Sequence, residues 1–350
     1  MNDPNGFSEY NDKFHLFYQY YPYDSVWGSM HWDHQTTKDF VKWEHESVAL
    51  APDQEYDRDG CFSSTAIVEG DTQYLVYTSV IPGAQNQSVA YSKDGIIYEK
   101  NPEKNPILTG KDLPSGFSNA DFRDPSIFKR GDDYYLLAGN ADHAGNKQII
   151  CFTSKSITEG WKYLGVTLSR TNVGGIFECP DLITIGEDDV LIASPQRIAR
   201  ASEYEYQNSD SCVYKIGMFN QRSGRFLYQG GNTLEEFDKG FSFYAPQTMT
   251  TSDGRAILTA WMKSWGEANV TKADGWAGSM VLPRELTIKD GHIYQAPVRE
   301  LSNYFVSNVP SDDLVLENTS KEMTNMAGRS ASISLEIDVK DAKKAGIEVF

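Results

Sequence analysis

Three carboxylates in this chain lie one or two residues ahead of a proline in similar settings: Asp3 in Met1-Asn-Asp-Pro-Asn-Gly6, Asp124 in Phe122-Arg-Asp-Pro125, and Glu178 in Phe177-Glu-Cys-Pro180. Two carboxyl groups held near each other in unlike surroundings can divide the work of breaking a glycosidic bond. One stays ionised and the other carries a proton. A third, ionised, can hydrogen-bond sugar hydroxyls. Arg123, next to Asp124, is expected to hold that carboxylate charged, because a nearby guanidinium favours the ionised form. Any one of these acids is equally well read as a turn former. The chemical reading rests on all three taking equivalent places in a repeat.

That repeat is visible. An apolar strand, a polar turn and a second apolar strand recur from Asp3, Phe62, Asp124, Glu178 and Tyr244. The turns, such as Lys129-Arg-Gly-Asp-Asp133 and Thr251-Ser-Asp-Gly254, are rich in Gly, Asp and Asn, as hairpin loops require. A second echo ends on an aromatic: Thr37 to Trp43, Ser92 to Tyr98 and Ser154 to Trp161. Four strands per unit arranged around a ring make a β-propeller. The sequence thus predicts an all-β protein with a five-bladed β-propeller over residues 1–296, the acids meeting at one rim of its axis. A linker over 297–311 and the start of a β-sandwich over 312–350, cut off before completion, are expected to follow. Alternation at Asp313 to Leu316 and Ala331 to Asp338 carries the last expectation. A single β-sandwich with chance internal similarity is the architectural alternative.

With 49 acidic against 32 basic residues, a net charge of −17 disfavours nucleic acid and anionic membranes as partners. No apolar run approaches the ~20 residues that span a bilayer. The four cysteines, Cys61, Cys151, Cys179 and Cys212, lack metal-ligand spacing, and free thiols in a cytoplasmic setting are expected. None of the six histidines falls in ligand spacing next to an acid, so neither metal nor cofactor is expected.

Met1-Asn-Asp-Pro-Asn-Gly6, Phe122-Arg-Asp-Pro125 and Glu178-Cys179 resemble the three signature blocks of glycoside hydrolase family 32, the invertases and β-fructofuranosidases. His15 to Pro22, Trp27-Gly28, Tyr244-Ala-Pro-Gln247 and Leu282 to Leu286 follow the same pattern. The resemblance implies a five-bladed propeller followed by a β-sandwich, and a retaining β-fructosidase. It makes Asp3 the nucleophile, Glu178 the general acid/base and Asp124 the stabiliser of the transition state. Asn2, Gln19, Trp27, Phe62, Ser63, Arg123, Cys179, Asp238, Tyr244 and Trp261 become candidate substrate contacts. Among these, Asp238 and Tyr244 are expected near Glu178 or the leaving group, and Cys179 packed behind Glu178. Trp261 is favoured over Trp265 and Trp276 as pocket lining. Asp33 and Ser64 stand where the family commonly has glycine.

A small carbohydrate is the expected partner: sucrose, sucrose 6-phosphate or a fructo-oligosaccharide. An exo-acting fructan hydrolase of the same family is the alternative, with homo-oligomerisation open. An inverting five-bladed hydrolase, a catalytically silent sugar-binding propeller and a carboxylate metal site are the other readings. A phosphorylated glucose would need a cation beyond Glu178, for which Arg197, Arg200 and Lys239 are candidates by position.

Overall fold

The structure is a computed structural model, and it describes residues 1–350 except 201, 230, 327, 329 and 350. Five antiparallel sheets follow one another along the chain, so the protein is a five-bladed β-propeller. Blade one holds β1 (Pro4–Tyr10), β2 (Lys13–Tyr20), β3 (His31–Thr37) and β4 (Trp43–His45). In blade two the inner strand is broken into β5 (Gly60–Phe62) and β6 (Ala66–Glu69). Both pair with β7 (Thr72–Ile81), which β8 (Ala84–Ser92) and β9 (Glu99–Lys100) follow. Blade three is β10 (Phe117–Arg130), β11 (Asp133–Asp142), β12 (Lys147–Ser154) and β13 (Lys162–Arg170). Blade four is β14 (Phe177–Ile185), β15 (Asp188–Pro195), β16 (Val213–Phe219) and β17 (Phe226–Leu227), with β18 (Glu235–Glu236) also on β16. Blade five is β19 (Tyr244–Thr250), β20 (Ala256–Trp261), β21 (Arg284–Lys289) and β22 (His292–Pro297).

Burial explains why the sheets form a ring. Each blade is apolar on both faces, and one cluster of buried side chains fills each junction. Phe17 and Trp32 meet Leu75 and Tyr77 between blades one and two, and Val76 and Leu108 meet Phe122 and Phe152 between two and three. Leu137 and Cys151 meet Phe177 and Leu191 next, and Val190 and Ile192 meet Leu258 and Phe243 after that. Phe7 and Leu16 meet Met249 and Ile257, which closes blade five onto blade one. The Met1 ammonium donates to Ala277 O at 2.7 Å across the same junction.

Every inner strand carries a bulge at one height. The register slips by one residue after Asn5, Arg123, Glu178 and Tyr244, and in blade two between Phe62 and Ala66. At four of these steps the following residue has positive φ: Gly6 at 54°, Asp124 at 58°, Cys179 at 45° and Ala245 at 50°. A bulge twists its strand and re-aims the side chains around it. Here it turns the start of each inner strand into the axial pocket.

Two expectations need correction. Residues 297–301 belong to the propeller unit rather than to a linker: Val298 is buried and the Arg299 guanidinium is paired with Glu285. Within 302–350, a separate unit, Asp313 to Leu316 and Ala331 to Asp338 carry no strand. Their apolar residues, Leu314, Leu316, Ile333 and Leu335 among them, stay exposed. Alternation makes strands only where a sheet offers partners and a face to bury, and so few segments do not build one. No helix among the described residues is long and apolar enough to cross a membrane.

Ala245, fully buried at φ 50°, tests the bulge. Ala245→Val adds a β-branched side chain in the left-handed region and should lower stability by at least about 1–3 kcal/mol. Ala245→Gly should stay within about 1 kcal/mol of the parent, both read by urea unfolding.

Candidate active site

The bulges set three different places for the three acids. Glu178 is the last paired residue before its bulge, Asp124 is the left-handed residue of its own, and Asp3 lies two residues ahead of Asn5. The expected equivalence of the acid–proline steps therefore fails. The convergence holds because staggered positions bring carboxylates from different blades to one depth. Asp3, Asp124 and Glu178 line one cleft of about 380 Å³, together with Asn2, Gln19, Trp27, Phe62, Ser63, Gln85, Arg123, Gln196 and Trp265.

Cys179 links two of the acids. Its backbone N–H donates to Asp124 Oδ2 at 3.1 Å. Its thiol lies 3.7 Å from Asp3 Oδ2 and 3.8 Å from Asp124 Oδ2. The thiol thus faces Asp3 and Asp124 and is not packed behind Glu178; the left-handed backbone at Cys179 turns it there. Burial pushes this thiol well up, so it stays a protonated donor. Ser63 Oγ donates to the same Asp3 oxygen at 2.7 Å. Asp3 Oδ1 is buried with no hydrogen-bond partner among the described residues. A buried acceptor left bare is costly unless something else meets it.

Glu178 is held from both sides. Arg123 donates to Oε1 through Nε at 3.2 Å and Nη2 at 2.9 Å, and the Tyr244 hydroxyl donates to Oε2 at 2.7 Å. The guanidinium therefore serves Glu178 first and approaches Asp124 only to 3.9 Å. Arg123 favours the charged form of Asp124 as expected, but burial outweighs it. Burial raises the Asp124 carboxyl above the usual range; Arg123 opposes the shift, and Glu178 and Asp3 add to it. Burial, followed by repulsion from Glu178, likewise pushes Asp3 up to about 6.

Of the other candidates, Asn2, Gln19, Trp27, Phe62, Ser63 and Arg123 line the cleft, and Tyr244 reaches it through Glu178. Trp27 meets Phe62 edge-on at 5.6 Å. Asp238 does not reach the cleft: it accepts from Arg284 Nη1 at 2.6 Å, in the connection before blade five. Trp261 packs behind Trp265 at 5.1 Å and is buried with Cys179 and Tyr244, leaving Trp265 as the lining residue. Arg200 donates to the carbonyls of Ser202 and Glu203, and Lys239 pairs with Glu236. Gln85 and Gln196 were missed. Gln196 sits in the connection between the second and third strands of its blade, where Trp27 and Trp265 also lie, and Gln85 is the second residue of β8, just past the corresponding turn of blade two. That shared topological place was the available signal.

Residues 1–297 match the model of the glycosyl hydrolases family 32 N-terminal domain. The chain is 34% identical along its whole length to a sucrose-6-phosphate hydrolase of Escherichia coli, of which it spans 72%. It is 37% identical over 86% of its length to the sucrose-6-phosphate hydrolase of Salmonella typhimurium, spanning 65% of that protein. Among solved structures, the Bombyx mori GH32 beta-fructofuranosidase superposes with a TM-score of 0.81 at 36% identity, over 90% of this chain and 66% of that one. The chain thus spans about two thirds of the proteins it matches.

Asp124 provides a test of the buried charge. Its proton is held more tightly folded than unfolded, so stability is greatest below the ordinary carboxylate value, about 4. It falls as pH rises through the raised folded value. Asp124→Asn keeps an acceptor for the Cys179 N–H and suits the left-handed backbone. It should raise Tm by at least about 2 °C near pH 8, with the gain shrinking near pH 5. A gain independent of pH would show that charge is not the cause.

Proposed function

This chain belongs to glycosyl hydrolase family 32, and we propose that it is a retaining β-fructosidase acting on sucrose or sucrose 6-phosphate. The observation that carries the reading is the pairing of an unpartnered Asp3 oxygen with a Glu178 carboxyl oriented by Arg123 and Tyr244. Asp3 Oδ1 attacks the fructosyl anomeric carbon while Glu178 passes a proton to the departing glycosidic oxygen. A covalent fructosyl–Asp3 ester forms as the bond to the leaving sugar breaks. Water, deprotonated by Glu178, then attacks the same carbon and releases Asp3, so configuration is retained. Asp124 and Asn2 meet the fructose hydroxyls, and Ser63 holds the nucleophile's other oxygen in place. The Cys179 thiol lies between Asp3 and Asp124, where a donor tempers the repulsion of two nearby carboxylates.

Rates on sucrose, sucrose 6-phosphate and inulin, with the anomer of the released fructose read by NMR, test this. Release of the inverted anomer would sink the mechanism, and inulin preferred over both disaccharides would favour the fructan reading. The nucleophile must be ionised, so kcat/KM should fall as pH drops through about 6, the value that burial gives Asp3. Asp3→Asn should abolish turnover. Glu178→Gln should lose roughly 10²–10⁴-fold on sucrose but much less on a fructoside with an activated leaving group.

A further inference from the structure

Beyond Glu178 the second strand of blade four ends in an unusual step. Glu178 pairs with Ser194, and the ladder continues as the Gln196 N–H donates to Ile176 O at 2.9 Å. Gln196 is two residues past the partner of Glu178. At about 3.3 Å per residue this sets it near the length of one sugar ring farther toward the mouth. Gln196 lines the cleft, and no hydrogen bond of the described residues engages its carboxamide. The next residue, Arg197, has φ 50°. A bulky side chain in the left-handed region is strained, and such strain persists where surrounding contacts enforce it.

Those contacts are present. The Arg197 N–H donates to Asp210 Oδ1 at 3.0 Å, and Asp210 O in turn accepts from Ser264 Oγ at 2.8 Å, in blade five. Opposite the step run Gly174 and Gly175, whose N–H groups donate to Arg197 O and Gln196 O. A Cβ on Gly175 would lie 2.6 Å from Gln196 Oε1 and 3.2 Å from Arg197 Nη2. Only a glycine lets these two side chains lie down there. The same distances place the guanidinium beside the amide that lines the cleft. Arg197 stays exposed and gives Gly174 O one hydrogen bond, from Nη2 at 3.0 Å. A guanidinium carries five N–H donors, so most remain for a ligand.

We propose that Arg197 is the specificity-determining residue for the leaving sugar, and that it reads an anionic group there, a phosphate ester on the glucose. This rests on the fructosidase reading above and names the substrate within it. A phosphate dianion approaching three clustered acids on a chain of net charge −17 needs a fixed counter-charge. Arg123, the cation lining the cleft, is already bound to Glu178. Arg197 supplies the missing charge about one ring beyond the proton donor, in the planar form that suits phosphate.

The test is kcat/KM for sucrose 6-phosphate and for sucrose, in the parent protein, Arg197→Gln and Arg197→Lys, with Tm measured on each. The parent should prefer the phosphorylated substrate. Arg197→Gln should lower the ratio of the two kcat/KM values by about tenfold or more, as expected for one charge-assisted contact, mainly through KM. Arg197→Lys should fall between. Equal losses on both substrates, or an unchanged ratio, overturns the proposal and leaves Arg197 a structural residue. If the parent hydrolyses neither sugar, the fructosidase reading fails and this assignment with it. Sucrose turnover in the same series separates the two failures.

Discussion

Like charges confined together are the constraint on which this structure turns. Asp3, Asp124 and Glu178 share one cleft, where Glu178 raises the cost of ionising Asp3, and Glu178 and Asp3 raise that of ionising Asp124. Donors are distributed unequally to bear it. Glu178 takes the guanidinium and a phenol, Asp124 takes a backbone N–H, and Asp3 shares a serine hydroxyl and a thiol. Unequal support is what makes three chemically similar groups different. A symmetric pocket would have left them interchangeable.

The ring makes that inequality possible. Each donor reaches its acid from another part of the chain: Ser63 in blade two serves Asp3 in blade one, and Tyr244 in blade five serves Glu178 in blade four. The apolar clusters between blades fix those distances, and the bulges decide how deep each side chain sits. Stability and chemistry are thus separated in space, with packing between the blades and charge at the axis.

Strand pattern and blade number were legible from residues alone, because alternation and Gly/Asp turns are local signals, whereas much of the cleft lining came from the family resemblance. Phe62 and Ser63 could be placed by counting repeats, and Trp27 by the family resemblance. Cys179 could not: its thiol turns toward Asp3 through a positive φ that no residue preference foretells at a cysteine. Arg123 was only half legible: adjacency in sequence suggested Asp124, which it approaches to 3.9 Å, whereas its hydrogen bonds go to Glu178 on the next blade. Asp238 looked available because its partner, Arg284, lies 46 residues on. Propeller rims also draw on the turns between second and third strands, whose sequences carry little periodicity. Gln196 was hidden there, and Gln85 just past such a turn, at the start of β8.

The junction of blade one with blade five has a consequence in time. Strand β1, which follows directly on Asp3, packs beside β19, and the Met1 ammonium reaches Ala277 O. A chain synthesised in order makes Asp3 first, yet its neighbours on one side come almost 250 residues later. Such distant pairings form slowly, since a long loop must close before any contact rewards it. The first acid to leave the ribosome therefore waits for the last blade. Tyr244, the donor to Glu178, arrives with that blade, so the constellation is complete only when the ring closes.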